Sequence, residues 1–151
     1  MRFFLLLLTA SLLTVNASAQ STEDSVKTAV NKLFTAMKES DEAMLKNSFT
    51  SNAVLQTIGR SKETGAVVVT SEEVNAFAES IQKITKGDAD EQIVFETIKI
   101  DGDLASVWTP YKFYYKGKFS HCGVNSFQLV RLNGEWKIQY IIDTRRRQGC
   151  Q

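Results

Sequence analysis

The last third of the chain, residues 108–147, constrains the fold more than any other stretch. It contains two long runs of aromatic and β-branched residues that meet at Asn133-Gly134. An Asn-Gly pair between such runs is a strong signal for a two-residue β-hairpin turn, because both positions then need positive φ. The same region contains the only histidine, both tryptophans and one of the two cysteines. We therefore expect a long antiparallel hairpin here, and any chemistry of the chain should lie on it or beside it.

The first 19 residues have the pattern of a secretory signal peptide. Arg2 is followed by an apolar run from Phe3 to Val15, and Ala17-Ser18-Ala19 supplies the small residues that a signal peptidase requires. The run is shorter than the roughly 20 residues that a membrane-spanning helix needs. We predict cleavage after Ala19, a secreted or periplasmic location, no membrane span, and one domain over residues 20–151.

The charges of the chain are nearly balanced, with 18 basic and 17 acidic residues. Loss of Arg2 with the signal peptide would make the two numbers equal. Proteins that bind nucleic acids or anionic membranes have a basic excess, so we expect neither partner. The run Arg145-Arg146-Arg147 is a local exception, which we interpret as a solvated strand end.

The two cysteines, Cys122 and Cys150, would reach an oxidising compartment in which a disulfide can form. Such a bond would attach the C-terminal tail to a central strand, and the sequence leaves both the bonded and the free state open. The chain has neither a Cys-x-x-Cys motif nor a cluster of His and Cys residues. We therefore expect no metal site and no cofactor.

The hydrophobic pattern predicts three helices with interleaved strands, followed by strands alone. Residues 21–39 have one apolar face at helical spacing, a short helix follows Ser40, and a third helix ends before Gly87. Residues 53–58 and 66–69 are predicted as strands. A four-stranded meander then covers residues 92–100, 104–115, 119–131 and 136–145. Helices with one apolar face need a sheet to cover, so we predict an α+β fold in which a curved sheet packs on them and leaves a cavity where it bends away.

The register of the last hairpin follows from its turn. A two-residue loop pairs Leu132 with Glu135. Moving away from the turn by equal numbers of residues along both strands then pairs Leu129 with Ile138 and His121 with Arg146. Because side chains alternate along a strand, His121 and Asn125 should then lie on the core face and Asp143 on the opposite face. A β-bulge would exchange the two faces beyond its position.

These residues resemble a known superfamily. The order of the elements, the strand with Trp108 and Tyr111, the segment His121-Cys122-Gly123 and the ending Trp136-Lys137-Ile138 are similar to the nuclear-transport-factor-two-like superfamily. Within it, the chain looks most like secreted bacterial proteins labelled "putative lumazine-binding", over nearly all of the mature chain. The resemblance implies a cone-shaped, strongly bent antiparallel sheet wrapped around three helices, often dimeric through the outer face of the sheet.

The superfamily includes isomerases, dehydratases and cyclases as well as binding proteins without catalysis, so the fold alone assigns no function. Isomerase-like members place a carboxylate in the first strand, but residues 53–58 contain none. A lyase or isomerase of this fold would use His121 as its base with Asp143 as partner, but we favour structural roles, a hydrogen-bonded strand-end histidine and an aspartate paired with Arg145 or Arg147. We expect the following residues to contact a ligand: Trp108, Tyr111, His121, Asn125, Tyr140 and Asp143.

No complete catalytic set is visible, so the leading hypothesis is a small-molecule-binding domain for a small hydrophobic or aromatic ligand. The first alternative is the enzyme just described. The second is an interaction domain that forms a homodimer through its sheet.

Overall fold

The structure, a computed structural model, describes residues 21–150. The predicted signal peptide lies outside these residues. Between residues 21 and 150, three helices and seven strands follow one another. Their bounds are α1 Thr22–Glu39, α2 Glu42–Asn47, β1 Phe49–Arg60, β2 Val67–Glu72, α3 Val74–Gln82, β3 Ala89–Ile93, β4 Thr97–Asp101, β5 Leu104–Tyr115, β6 Lys118–Leu132 and β7 Glu135–Thr144.

The strands form one sheet in the order β2-β1-β7-β6-β5-β3, with β4 also paired to β5. The predicted α+β class, with a sheet packed around three helices, is confirmed. One pair departs from the predicted antiparallel sheet, because β1 and β7 are parallel. Hairpin turns fix the directions of β5, β6 and β7 relative to one another, but no turn joins β1 to β7, so the sequence pattern contains no signal for their relative direction.

The strand predicted over residues 92–100 is divided into β3 and β4. Both pieces pair with β5, and the break lies opposite Pro110, whose carbonyl accepts a hydrogen bond from Val94 N. The N–H and C=O of one residue point to the same side of a strand, so Pro110 offers no donor toward this edge. The missing donor accounts for the interrupted ladder.

The core lies between α1, α3 and the inner face of the sheet. Ser21 caps α1 by accepting a hydrogen bond from Asp24 N, and Trp136 Nε1 donates to Ser25 Oγ at 3.1 Å across the helix–sheet contact. The most fully buried side chains of the core include Val26, Val30, Leu45, Val107, Phe127, Leu129 and Ile138. Their burial is the main stabilising contribution to this arrangement.

A β-bulge in β7 changes the predicted register of the last hairpin. Leu129 pairs with Ile138 as expected, but Gln128 then pairs with Tyr140, which leaves Gln139 as the extra residue. Asn125 is consequently opposite Asp143. The bulge turns Asp143 to the inner face, so the prediction that His121 and Asp143 lie on opposite faces is wrong.

The end of β6 is also irregular, because Phe113 pairs with His121 and Tyr114 pairs with Phe119. On its other side, β6 keeps the register set by the bulge at Gln139, so the partner of Arg146 is Cys122 rather than the predicted His121, through two backbone hydrogen bonds of 2.8 and 2.9 Å. Cys122 also forms a disulfide with Cys150, with their Cα atoms 5.9 Å apart. The C-terminal tail is thus attached to β6 at two points.

Within residues 21–150, none of the helices has the length and apolar character that crossing a membrane would require.

Candidate functional site

A cavity of about 310 Å³ lies between the helices and the inner face of the sheet. Its wall has two chemically different parts. The apolar part includes Leu33, Phe34, Met37, Phe49, Leu55, Phe77, Ile81, Phe113 and Ile141. The polar part includes Thr57, Glu91, Tyr111, His121, Asn125, Asp143 and Arg145. A ligand in this cavity would meet apolar side chains on one side and hydrogen-bonding groups on the other.

Asp143 is the centre of the polar part. Its side chain is buried, with 8% exposed, and its Oδ1 accepts a hydrogen bond from Thr57 Oγ1 at 2.5 Å. Its Oδ2 is 3.1 Å from Tyr111 Oη and accepts from Arg145 Nε at 2.9 Å. A buried carboxylate requires such donors, because an unpaired buried charge is strongly destabilising. The three contacts fix the carboxylate in one orientation.

Tyr111 reaches Asp143 because its strand neighbour is a glycine. Tyr111 pairs with Gly123, and a Cβ atom at Gly123 would lie 1.7 Å from the carbonyl oxygen of Thr144 and 2.7 Å from the Tyr111 ring. The Tyr111 hydroxyl is also 2.9 Å from that same carbonyl oxygen. Burial and the charge of Asp143 raise the pKa of the Tyr111 hydroxyl far above its usual range, so it acts here as a hydrogen-bond donor.

Arg145 neutralises Asp143 from a position in which half of its own side chain is exposed. Burial disfavours the charge of Arg145, but the hydrogen bond to Asp143 and the attraction of Asp143 and the other acidic groups together outweigh that effect and raise the pKa of the guanidinium. Arg145 Nη2 also lies 3.2 Å from Thr57 Oγ1. The pair therefore adds little net charge to the polar wall.

Glu91 is a second carboxyl group in the cavity wall. It lies in β3 opposite Phe113, and its Oε1 accepts a hydrogen bond from Asn125 Nδ2 at 2.8 Å. The residue as a whole is partly exposed, but its carboxyl group is surrounded by protein. Burial raises the pKa of Glu91 to about 7, although the hydrogen bond from Asn125 acts in the opposite direction and lowers it in part. A carboxyl group that exchanges a proton near neutral pH can act as an acid or a base, or respond to the charge of a ligand.

His121 lies in the cavity wall and is partly exposed. Its ring makes an edge contact with Tyr111 at 5.7 Å between centroids and a tilted contact with Phe113 at 5.1 Å. Its Nδ1 is 3.1 Å from Ser120 Oγ. Burial, and next the charge of Arg145, lower the pKa of His121, so the ring is neutral at pH 7. Within residues 21–150, no hydrogen bond joins His121 to Asp143, whose donors are Thr57, Tyr111 and Arg145.

Four of the six residues predicted to contact a ligand line the cavity, namely Tyr111, His121, Asn125 and Asp143. Trp108 does not line it, because it pairs with Ser126 on the outer face and is 45% exposed. Tyr140 does not line it either, because the bulge at Gln139 turns it outward, where its hydroxyl donates to Gln56 Oε1 at 2.8 Å. The predicted ligand contacts of Trp108 and Tyr140 therefore do not fit their positions.

Sequence reasoning missed Glu91, Thr57 and Arg145 as members of the cavity wall. Glu91 precedes the segment predicted as a strand, and a single carboxylate there has no signal of its own. Its side-chain hydrogen bond with Asn125 joins two residues that are 34 positions apart in the sequence. Arg145 could be recognised only once the bulge had brought Asp143 to the inner face. No group of three or more His, Cys, Asp or Glu residues is arranged to hold a metal ion in the part of the chain that the structure describes.

The sequence model of one protein family, described as "Putative lumazine-binding", matches residues 21–140. The match covers all three helices and most of the sheet, including Tyr111, His121 and Asn125, and it stops before Asp143. No curated protein sequence matches the chain significantly.

Solved structures with the same fold are numerous. A nuclear-transport-factor-two-like protein of unknown function from Shewanella baltica is 14% identical with a TM-score of 0.63, over 82% of this chain and 93% of that one. One from Silicibacter pomeroyi is 15% identical with a TM-score of 0.60, over 84% of this chain and 100% of that one. Another from Shewanella oneidensis is 11% identical with a TM-score of 0.61, over 81% of this chain and 98% of that one. At these identities the similarity shows the fold alone.

Proposed function

Because this chain belongs to the family described as "Putative lumazine-binding", within the nuclear-transport-factor-two-like superfamily, we propose that it is a binding domain for a compact, partly aromatic small molecule. The ligand would lie in the cavity between the helices and the sheet. The predicted signal peptide would direct this binding activity to the periplasm or the outside of the cell.

The observation that carries the proposal is the division of the cavity wall into an apolar part and a polar part. Ligand sites are typically concave and mostly apolar, with a few fixed polar groups, and hold about 300–1,000 Å³. The cavity of about 310 Å³ is at the lower end of that range. Its polar groups are held in place by one another, as Asp143 by Thr57, Tyr111 and Arg145. Fixed groups of this kind favour orientation of a ligand, because little entropy is lost when it binds.

A ligand screen by thermal shift tests the proposal. The compounds would be flat aromatic molecules, lumazine among them, together with sterol-like molecules that exceed the cavity. We expect at least one flat aromatic compound to raise the melting temperature, since ligands that bind only the folded state stabilise it. Failure of every flat compound to do so would contradict the proposal.

Two neighbouring isoleucines provide a matched control for the location of binding. Ile141 lines the cavity, whereas Ile142 pairs with Ser126 on the outer face. Ile141→Phe should fill part of the cavity and weaken binding by about tenfold or more, which corresponds to about 1.4 kcal/mol. Ile142→Phe adds the same volume outside the cavity and should leave binding unchanged. Equal effects of the two substitutions would show that the ligand binds elsewhere.

A second candidate function is proton transfer on a carbonyl substrate, in an isomerase or lyase. It is favoured by the pKa of Glu91, raised to about 7, beside the neutral ring of His121 in one cavity. Either group could remove a proton next to a carbonyl group. Deuterium uptake by 1-tetralone in D₂O, followed by NMR, tests this. Catalysed exchange that persists in Glu91→Gln and in His121→Gln would rule out both residues as the base.

A homodimer through the outer face of the sheet remains a proposal as well. Exposed apolar side chains favour it, such as Val54 at 42%, Val69 at 53% and Trp108 at 45% exposed. Sedimentation equilibrium at high protein concentration measures the association directly, and a monomer would contradict it. Trp108→Lys should weaken any such dimer.

A further inference from the structure

We propose that the ligand of this cavity is an organic anion, with its apolar body inside the cavity and its acidic group bound by the arginines at the opening. The inference rests on the proposed binding function and specifies the chemical class of the ligand. It assigns a role to Arg145-Arg146-Arg147, which the sequence pattern alone suggests to be a solvated strand end.

A second, smaller hollow of about 220 Å³ lies beside the cavity, where the side chain of Arg145 is 53% exposed. It is lined by His121, Arg145, Arg146 and Arg147. His121 and Arg145 also line the main cavity, so the two spaces meet at these residues. We call the second space the arginine mouth. None of the residues that line it is acidic.

The positive charge of the arginine mouth is only partly neutralised. Arg145 forms an ion pair with Asp143 at 2.9 Å. Arg146 Nε donates to the carbonyl oxygen of Gly149 at 3.2 Å, which is a neutral acceptor. Within residues 21–150, no carboxylate lies within 4 Å of the side-chain nitrogens of Arg146 or Arg147. Two cationic groups are therefore available to an anion at this opening.

The backbone holds the arginine mouth in place. Arg146 exchanges two hydrogen bonds with Cys122, and Cys122 is bonded to Cys150 four residues further along the tail. Arg145 follows directly on β7. A terminal run of arginines would otherwise move freely in solvent, where it would lose conformational entropy on binding. Attachment on both sides of the run reduces that loss, which favours a specific site over a diffuse charge.

The charges also determine the orientation of the ligand. Inside the main cavity, the charge of Arg145 is already neutralised by Asp143, and the carboxyl groups of Glu72 and Glu91 offer an anion no cationic partner. The acidic group of the ligand should therefore stay in the arginine mouth, while its apolar part contacts side chains such as Phe113 and Ile141. Guanidinium groups bind carboxylate, sulfonate and phosphate oxygens with paired hydrogen bonds, so all three acidic groups fit the inference.

A pair of fluorescent probes tests the charge preference. 1-Anilinonaphthalene-8-sulfonate and N-phenyl-1-naphthylamine have the same ring system, and only the first has an acidic group. Both increase their fluorescence in an apolar site. We expect the sulfonate to bind at least about tenfold more tightly than the neutral probe, as charge-assisted hydrogen bonds are stronger than neutral ones. Equal affinities would overturn the inference.

The decisive variant removes the two unpaired charges in Arg146→Gln/Arg147→Gln. The preference for the sulfonate should fall by about tenfold, whereas the neutral probe should bind as before, which also shows that the variant is folded. Lys99→Gln/Arg131→Gln is the matched control, because it removes two positive charges at the far end of β4 and β6. Its loss of the exposed Arg131–Asp103 ion pair has little effect on stability. If the preference for the sulfonate falls equally in both double variants, the attraction depends only on the overall charge of the protein, and the inference is overturned.

Two further outcomes separate this inference from the proposed function. If the neutral probe binds in the cavity, as judged by weaker binding to Ile141→Phe, and the sulfonate has no advantage, only the anion inference fails. If neither probe binds, both fail. Binding to phosphatidylglycerol vesicles that depends on Arg146 and Arg147, without any preference for the sulfonate, would assign the arginines to a membrane surface and overturn the inference.

Discussion

The inner face of the sheet is apolar and filled at one end of its strands, and polar and open at the other. At one end, Phe127, Leu129 and Ile138 are fully buried against α1 and form a filled core. At the other, Tyr111, Asn125 and Asp143 are also buried but are polar, and they line a cavity. The transition lies at the bulge around Gln139.

The difference shows how one strand can serve both structure and function. In the filled end, burial of apolar surface is sufficient, and one side chain can be replaced by another of similar volume. In the open end, each polar group depends on a particular partner, as Glu91 on Asn125 and Asp143 on Thr57. We therefore expect the filled end to determine the stability and the open end to determine the binding properties.

The largest expected contrast is between two phenylalanines, one at each end. Phe127 is fully buried, and Phe127→Ala should lower the free energy of unfolding by roughly 3–5 kcal/mol. Phe113 is partly buried beside the cavity, where it already lacks neighbours on one side. Phe113→Ala should cost about 1–2 kcal/mol. Urea unfolding of both variants gives the two values, and equal losses would contradict the division of the sheet into two ends.

Two glycines in strands give the next contrast. Gly123→Ala would place a Cβ atom 1.7 Å from the carbonyl oxygen of Thr144 and force the open end apart. We expect a loss of about 3 kcal/mol, at the upper end for overpacking, with weaker ligand binding. Gly59→Ala is the control, because its Cβ would meet no atom within 4 Å, and its effect should stay within about 0.5 kcal/mol. Thermal unfolding compares the two, and a stable Gly123→Ala protein would refute the close approach.

Removal of the disulfide should affect the open end more than the filled end. The bond closes a loop over a sequence separation of 28 residues, so Cys122→Ser/Cys150→Ser should cost about 2–4 kcal/mol, mainly because the unfolded chain becomes less restricted. Hydrogen exchange around Ile138 requires global unfolding and should become faster only by the factor that corresponds to this loss, whereas exchange in residues 144–150 should become faster still through local opening. An equal acceleration at both ends would mean that they unfold as one unit.

The open end should also contribute a pH dependence through Glu91, which has no counterpart among the apolar side chains of the filled end. Its pKa is about 7 in the folded chain, against a model-compound value of 4.5, so the folded state binds this proton more tightly than the unfolded state. The stabilisation is present at low pH and is lost as the pH rises from about 4.5 to about 7. Glu91→Gln can still accept the Asn125 hydrogen bond but cannot titrate.

Urea unfolding at pH 5, 6, 7 and 8 measures this contribution as the difference between the wild type and Glu91→Gln. The difference cancels the opposite slope expected from His121, whose pKa is lowered. The wild type should lose stability relative to the variant as the pH rises. A constant difference across the series would show that Glu91 is already ionised at pH 5.

The sequence pattern predicted the filled end well. Helix α1 was expected over residues 21–39, and the Asn133-Gly134 turn and the Leu129–Ile138 pair were expected from turn chemistry and alternation. These features depend on local signals, because a helix period or a two-residue turn is encoded within a few neighbouring residues.

The open end was predicted only in part. Tyr111, His121, Asn125 and Asp143 were recognised as candidates, but Asp143 was placed on the wrong face. The reason is that both faces of β7 carry an isoleucine beyond Ile138, namely Ile141 and Ile142, so alternation cannot reveal the bulge. Contacts with Thr57, Tyr111 and Arg145 favour the inward position of Asp143.

Sequence alone thus determined the order of elements, the core helix face and the hairpin turn, because each of these is a property of adjacent residues. Tertiary structure decided the parallel pairing of β1 with β7, the Glu91–Asn125 contact and the gathering of three arginines beside His121. Each of those depends on long-range contacts between distant strands, or on the disulfide and bulge that such contacts stabilise. Such contacts contribute to the free energy of folding only when the whole sheet has formed around the helices.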